Sequence, residues 1–128
     1  MEGKEMNGFE DLQIWKDGIH LTVETYSVLS SCKDYGFKDQ IQRAAVSIPS
    51  NISEGYERHT NKEFINFLYI AKGSCGEYRT QLKIAYLLKY INSNHFTNLN
   101  LFAKTLSSKI YTFIKYVESK KKKVEVIK

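Results

Sequence analysis

The chain has 128 residues, 42% of them apolar, which is enough for one domain with one core and too apolar for a disordered chain. One proline and seven glycines favour long uninterrupted elements over a many-turned β protein. The net charge of +5 is uneven: residues 1–37 carry −4, residues 38–89 carry +3, and residues 120–128 carry +4, so the basic balance does not describe the body of the chain.

Met1 to Gly8 is polar and is expected to be a flexible N-terminus. It lacks the basic-then-apolar layout of a signal peptide. No apolar run reaches the roughly 18–20 residues that cross a bilayer. A cytoplasmic protein with no membrane partner is therefore expected. From Asp11 a helical pattern begins, with Leu12, Trp15, Ile19, Val23 and Tyr26 as its apolar stripe. Asp34, Tyr35 and Gly36 read as a turn.

The second helix starts near Phe37 to Asp39, with Ile41, Ala44 or Ala45, Ile48 and Ile52 as its stripe. Pro49 lies inside this pattern. It removes the amide that would bond the Ala45 carbonyl, so a kink is expected; the alternative is a break with a new helix starting at Pro49. The stripe stays in phase across the proline, which favours one kinked helix. Gly55 is a plausible stop. Ala44, Ala45, Ser47, Ser50 and Ser53 are small enough for close helix packing.

Thr60 or Asn61 can cap a third helix, with Glu63 as capping-box partner. Phe64, Phe67, Leu68, Ala71, Cys75, Tyr78, Leu82, Ala85 and Tyr86 hold helical phase to about Tyr90. Gly73 and Gly76 interrupt it at a cost, and close approach of another backbone is the usual reason. After a turn at Asn92 to Asn94, a fourth helix carries Phe96, Leu99, Phe102 or Ala103, Leu106, Ile110, Phe113 or Ile114, and Val117. Residues 120–128 are read as a basic, flexible tail. The expected fold is all-α: residues 9–119 form an antiparallel up-and-down four-helix bundle with its second helix kinked at Pro49.

No residue pattern supports catalysis. His20, His59 and His95 fall on a helix, a loop and a turn, outside any metal-binding spacing. Cys32 and Cys75 are far apart and read as packing residues. Gly73, Ser74, Cys75 and Gly76 follow no strand and precede no Gly-Lys-Ser/Thr ending, so they are not a phosphate loop. No catalytic residue, cofactor, metal or small-molecule substrate is therefore expected.

The polar row Arg43, Ser47, Asn51 (or Ser50) and Glu54 recurs at helical spacing beside the apolar stripe, and the third helix offers Lys72, Ser74, Glu77 and Arg79 near its glycines. A buried or interfacial hydrogen-bond network, a solvated face and a ligand or RNA site all fit this row. The seventeen aromatics exceed what a four-helix core can bury. Tyr35, Tyr56, Tyr69, Tyr90, Tyr111 and Tyr116 fall off the assigned stripes. That argues for a homo-oligomer, with base stacking as the competing use. The acidic first segment and basic centre suit head-to-tail contacts that close a ring. Lys120, Lys121, Lys122 and Lys123 are a solvated end or a nonspecific RNA contact.

The motifs Phe9-Glu10-Asp11-Leu12 with Trp15, Arg43 to Gly55, Glu63-Phe64, Phe67-Leu68, Ala71 to Ser74, Glu77 and Gln81-Leu82 resemble one bacterial family. It is the four helix bundle protein family, also called 23S rRNA intervening sequence proteins or S23 ribosomal proteins. The resemblance spans about residues 9 to 118. It implies an up-and-down bundle that assembles into a ring-like homopentamer, and it does not imply an enzyme. The family name records where some of its genes lie and does not establish a ribosomal protein. The leading expectation is a non-catalytic homo-oligomeric scaffold, RNA-associated or ribosome-associated. The family is similar to the accessory variability protein of diversity-generating retroelements, which binds a reverse transcriptase and nucleic acid through a basic surface. Carried over, that alternative nominates Arg43, Arg58, Lys62, Lys72 and Arg79, with RNA or an RNA-handling protein as partner.

Overall fold

The computed structural model describes residues 8–124. A 3-10 turn, Gly8–Asp11, leads into four helices: α1 (Gln13–Val28), α2 (Tyr35–Tyr56), α3 (Asn61–Leu87) and α4 (Ser93–Glu118). They form an antiparallel up-and-down bundle. α1 packs on α2, α2 on α3 and α3 on α4, and α4 returns beside α1.

Local chemistry sets the helix ends. The Asp34 carboxylate accepts from the Phe37 amide at 3.2 Å and caps α2. Thr60 and Glu63 form the expected capping box of α3. The Asn92 side chain accepts from the His95 amide at 2.7 Å and caps α4. α3 stops at Leu87, short of Tyr90, because Lys89 turns left-handed at φ 65°. The Tyr90 amide then reaches the Ala85 carbonyl at 2.9 Å and the Lys89 amide reaches Tyr86 at 3.0 Å, which closes the helix end.

The apolar stripes of α2, α3 and α4 lie where their periodicity places them. Ile41, Ile48 and Ile52 of α2, Phe64, Leu68 and Leu82 of α3, and Leu106, Ile110 and Ile114 of α4 are all buried. α2 runs unbroken through Pro49, so the two-helix alternative falls. The kink at Pro49 stays an expectation from its missing amide. Pro49 also serves packing: a Cβ added at Gly18 of α1 would lie 3.1 Å from the proline Cδ.

α1 departs from expectation. Its buried residues are Ile14, Gly18, Leu21 and Thr25, whereas Ile19, Val23 and Tyr26 face outward. Gly18 and Thr25 carry little apolar signal, yet both suit the interior. Gly18 admits Pro49. The Thr25 hydroxyl is satisfied by the Leu21 carbonyl at 2.7 Å and the Tyr78 hydroxyl at 2.6 Å, so its burial leaves no orphan.

The glycines reverse the expected roles. Gly55 is no helix stop; it lies inside α2, where an added Cβ would sit 2.6 Å from Phe67 Cβ on α3. Gly73 and Gly76, expected at a close backbone approach, have nothing within 4 Å of that position. The segment after α4 also differs from a free tail. The Asn61 amide donates to the Lys120 and Lys122 carbonyls and accepts from the Val124 amide at 2.8 Å. Val124 is buried. The rest of the expected tail, 125–128, and residues 1–7 of the expected flexible start lie outside the described residues.

Candidate functional site

Three surfaces hold the residues of interest. The first is the α2/α3 seam. The Ser47 hydroxyl pairs with the Ser74 hydroxyl at 2.8 Å. The Asn51 amide donates to the Ser47 carbonyl and hydroxyl at 2.8 and 2.9 Å. Small side chains on both helices let the backbones come close enough for this bond to form. The rest of the polar row stays outside. Arg43 pairs with Asp39 at 2.7 Å and Glu54 with Arg58 at 2.9 Å, both within one turn and exposed. Glu77 is exposed, and Lys72 lies on the opposite side of α3. The seam therefore joins Ser47, Asn51 and Ser74 and excludes Arg43, Glu54, Lys72 and Glu77. It is a helix-locking network with no group suited to proton transfer.

The second surface is a groove between α3 and α4. Two adjoining hollows of ≈ 560 and ≈ 500 Å³ share Gly76 and Arg79. Lys72, Arg79 and Lys83 reach it from α3 at spacings of seven and four residues, which return to one helical face. Arg79 Nε donates to Asn100 Oδ1 of α4 at 3.1 Å. Lys72 Nζ sits 5.9 Å from the Tyr111 ring centre, and Lys83 Nζ sits 5.2 Å from that of Phe96. These contacts orient the cations without neutralising them. Sequence reasoning nominated Lys72 and Arg79, singled out Tyr69 and Tyr111 as off-stripe aromatics, and missed Lys83 and Asn100. The recurrence of Lys72, Arg79 and Lys83 was a readable signal for Lys83.

The other nominated cations scatter. Arg43 and Arg58 are ion-paired on α2 and just after it, with Arg58 also 4.8 Å from the Phe67 ring. Lys62 is exposed in the first turn of α3. Lys120 lies 4.8 Å from the Tyr116 ring. Lys123 turns inward, donating to the Tyr56 carbonyl at 2.8 Å and lying 4.5 Å from the Phe64 ring. Lys121 and Lys122 face solvent.

The third surface is apolar. Phe9, Trp15, Ile19, Val23, Val46 and Pro49 line a shallow hollow of ≈ 420 Å³ along α1 and α2. Val23 is 60% exposed and Tyr26 47%. Across the core diagonal, Ile70, Ile84 and Leu88 form a second exposed row on the outside of α3. Their spacing of fourteen and four residues keeps them on one face. Tyr35, Tyr69, Tyr111 and Tyr116 are exposed as expected, whereas Tyr56 and Tyr90 are half-buried.

The titratable groups point to structure. Burial pushes the Cys75 thiol up to about 12, against the opposing pull of Lys72 and Arg79, so it is not a nucleophile near neutral pH. Burial likewise pushes Tyr78 up to about 12 despite its bond to Thr25. Among the described residues no three His, Cys, Asp or Glu side chains converge as a metal site would need. None of the described helices is long and apolar enough to cross a membrane.

Fold and surfaces together define a single four-helix bundle with one basic groove and two exposed apolar faces. The sequence matches the family described as 23S rRNA-intervening sequence protein over residues 10–123. The chain belongs to that family. Its fold is similar to the 1.70 Å crystal structure of a protein of unknown function from the S23 ribosomal protein family of Bacteroides thetaiotaomicron. The TM-score is 0.75 at 22% identity, covering 80% of this chain and 98% of the other. Comparison with curated proteins gives no match.

Proposed function

We propose that the protein is a non-catalytic, RNA-associated cytoplasmic scaffold that works as a homo-oligomer. Copies join head to tail, with the α1/α2 apolar band of one protomer against the outer α3 row of the next. The observation that carries this reading is the exposed band itself. Ile19, Val23, Tyr26 and Val46 keep apolar surface in water on a protomer whose core is already complete. Two different apolar faces on opposite sides suit a heterologous contact, which forms a closed ring when the rotation closes. Five copies is the number that the family resemblance implies, and the face of Lys72, Arg79 and Lys83 on α3 is what supports an association with RNA.

Sedimentation velocity of Ile19→Lys/Val23→Lys tests this reading. Val23 is 60% exposed and Ile19 38%, and a lysine at either place can run its stem along the hollow to water, so the pair should cost the protomer no more than about 1–2 kcal/mol. The expected result is dissociation to monomers with unchanged helicity. A variant that keeps the wild-type mass would overturn the assignment of this face.

A further inference from the structure

The groove between α3 and α4 carries one sign of charge. Lys72, Arg79 and Lys83 come from α3, and Lys104 stands on α4 one turn beyond Asn100. Glu63 and Glu77, the acids of α3, do not line either hollow. Glu118 is taken by Lys115 at 3.3 Å. Among the described residues, no carboxylate lies within ion-pairing distance of Lys72, Arg79 or Lys83. Arg79 spends its Nε on Asn100, which fixes the guanidinium and leaves its two terminal nitrogens for an incoming acceptor.

The glycines of this groove give a second, independent observation. Gly73 and Gly76 each weaken α3 by about 0.5–1 kcal/mol relative to alanine. No neighbour within the fold explains them, because nothing lies within 4 Å of either missing Cβ. Their effect is to lower the floor of the groove beside the exposed rings of Tyr69 and Tyr111. Unpaired cations, a bare backbone floor and half-exposed rings together match a strand with phosphates on one side and flat bases on the other.

We propose that this groove binds single-stranded nucleic acid, with its phosphates on Lys72, Arg79 and Lys83 and unpaired bases against Tyr69 and Tyr111. This rests on the RNA half of the preceding reading and shares Ile84, at the groove's edge, with the oligomer half. A duplex would offer phosphates but hide its base faces, leaving both rings unused. An acidic peptide would engage the cations and leave the glycine floor without a role.

Fluorescence anisotropy tests the inference, using a labelled oligouridine of about 15 nucleotides, free or annealed to its complement, at low salt. The free strand should bind on the order of tenfold more tightly than the duplex. Lys72→Gln/Arg79→Gln/Lys83→Gln should weaken binding by at least about tenfold. It should also flatten the plot of log affinity against log salt by about 2, at roughly 0.7 per lost phosphate contact. Gly76→Leu retains every charge and should weaken binding by filling the floor. Arg43→Gln/Arg58→Gln/Lys62→Gln removes as many charges elsewhere and should leave affinity within about twofold. Loss in this control triple, with the groove triple unaffected, would overturn the groove and leave RNA association standing. Equal affinity for the duplex would overturn the single-strand assignment. No binding to either form, or capture of polyglutamate in its place, would overturn the RNA half of the preceding reading as well. Circular dichroism melts of each variant confirm that the bundle is intact.

Discussion

Replacing Gly73 and Gly76 together by alanine should stabilise the protein. Glycine in a helix interior is less favourable than alanine by about 0.5–1 kcal/mol, so the pair is worth about 1–2 kcal/mol. No steric cost offsets this, since each new methyl group enters open space. For a chain of this size, about 4 °C of melting temperature per kcal/mol gives a rise of about 4–8 °C. Gly55→Ala serves as the opposite arm. Its methyl group would meet Phe67 Cβ at 2.6 Å, a contact that no side-chain rotation relieves. Overpacking of about 1–3 kcal/mol then outweighs the propensity gain, for a net loss of about 1–2 kcal/mol. Thermal melts and urea titrations at one fixed protein concentration measure both arms. A destabilised Gly73→Ala/Gly76→Ala variant would refute the open-groove geometry, because some packed neighbour would have to stand where the structure leaves space.

Two further outcomes follow from individual bonds. Thr25→Val leaves the buried Tyr78 hydroxyl without its side-chain partner and should cost about 1–2 kcal/mol in urea unfolding, whereas adding Tyr78→Phe should recover much of it. The Tyr90 hydroxyl donates to Asp34 Oδ2 at 2.6 Å, which lowers the Asp34 pKa and raises that of Tyr90 in the folded state. The Asp34 contribution is then present above its unfolded pKa of about 3.9 and lost as pH falls through the lower folded value. The Tyr90 contribution is present below about 10 and lost as pH rises through its higher folded value. Tyr90→Phe should flatten the stability profile at both edges, and an unchanged profile would show that the bond is absent in solution.

Much of the bundle was legible because the information is local. The Thr60–Glu63 capping box lies within four residues, and the isoleucines of α2 carry a phase that Pro49 does not shift. α1 misled for a physical reason. Its interior face is built from Gly18 and Thr25, whose fitness depends on Pro49 and Tyr78, partners 31 and 53 residues away. Ile19, Val23 and Tyr26, which periodicity placed inside, are exposed instead, whereas Leu12 is buried as expected. The glycines mislead in the same way, since α2 and α3 must be packed before Gly55 meets Phe67 and before Gly73 and Gly76 can be seen to face open space. The capture of Lys120 to Val124 likewise depends on distant partners, the Asn61 side chain and the Tyr56 carbonyl. At the candidate groove, Lys72, Arg79 and the overlooked Lys83 recur at periods of seven and four, and Tyr111 stands out as an off-stripe ring, but their meeting with Asn100 required the crossing of α4.

Multi-angle light scattering of the wild-type chain, eluting from a sizing column at micromolar concentration, tests the scaffold account most directly. The account predicts one peak whose mass is a multiple of the 14.9 kDa chain, with five copies as the expected ring. A single peak at the monomer mass, unchanged with concentration, would contradict it.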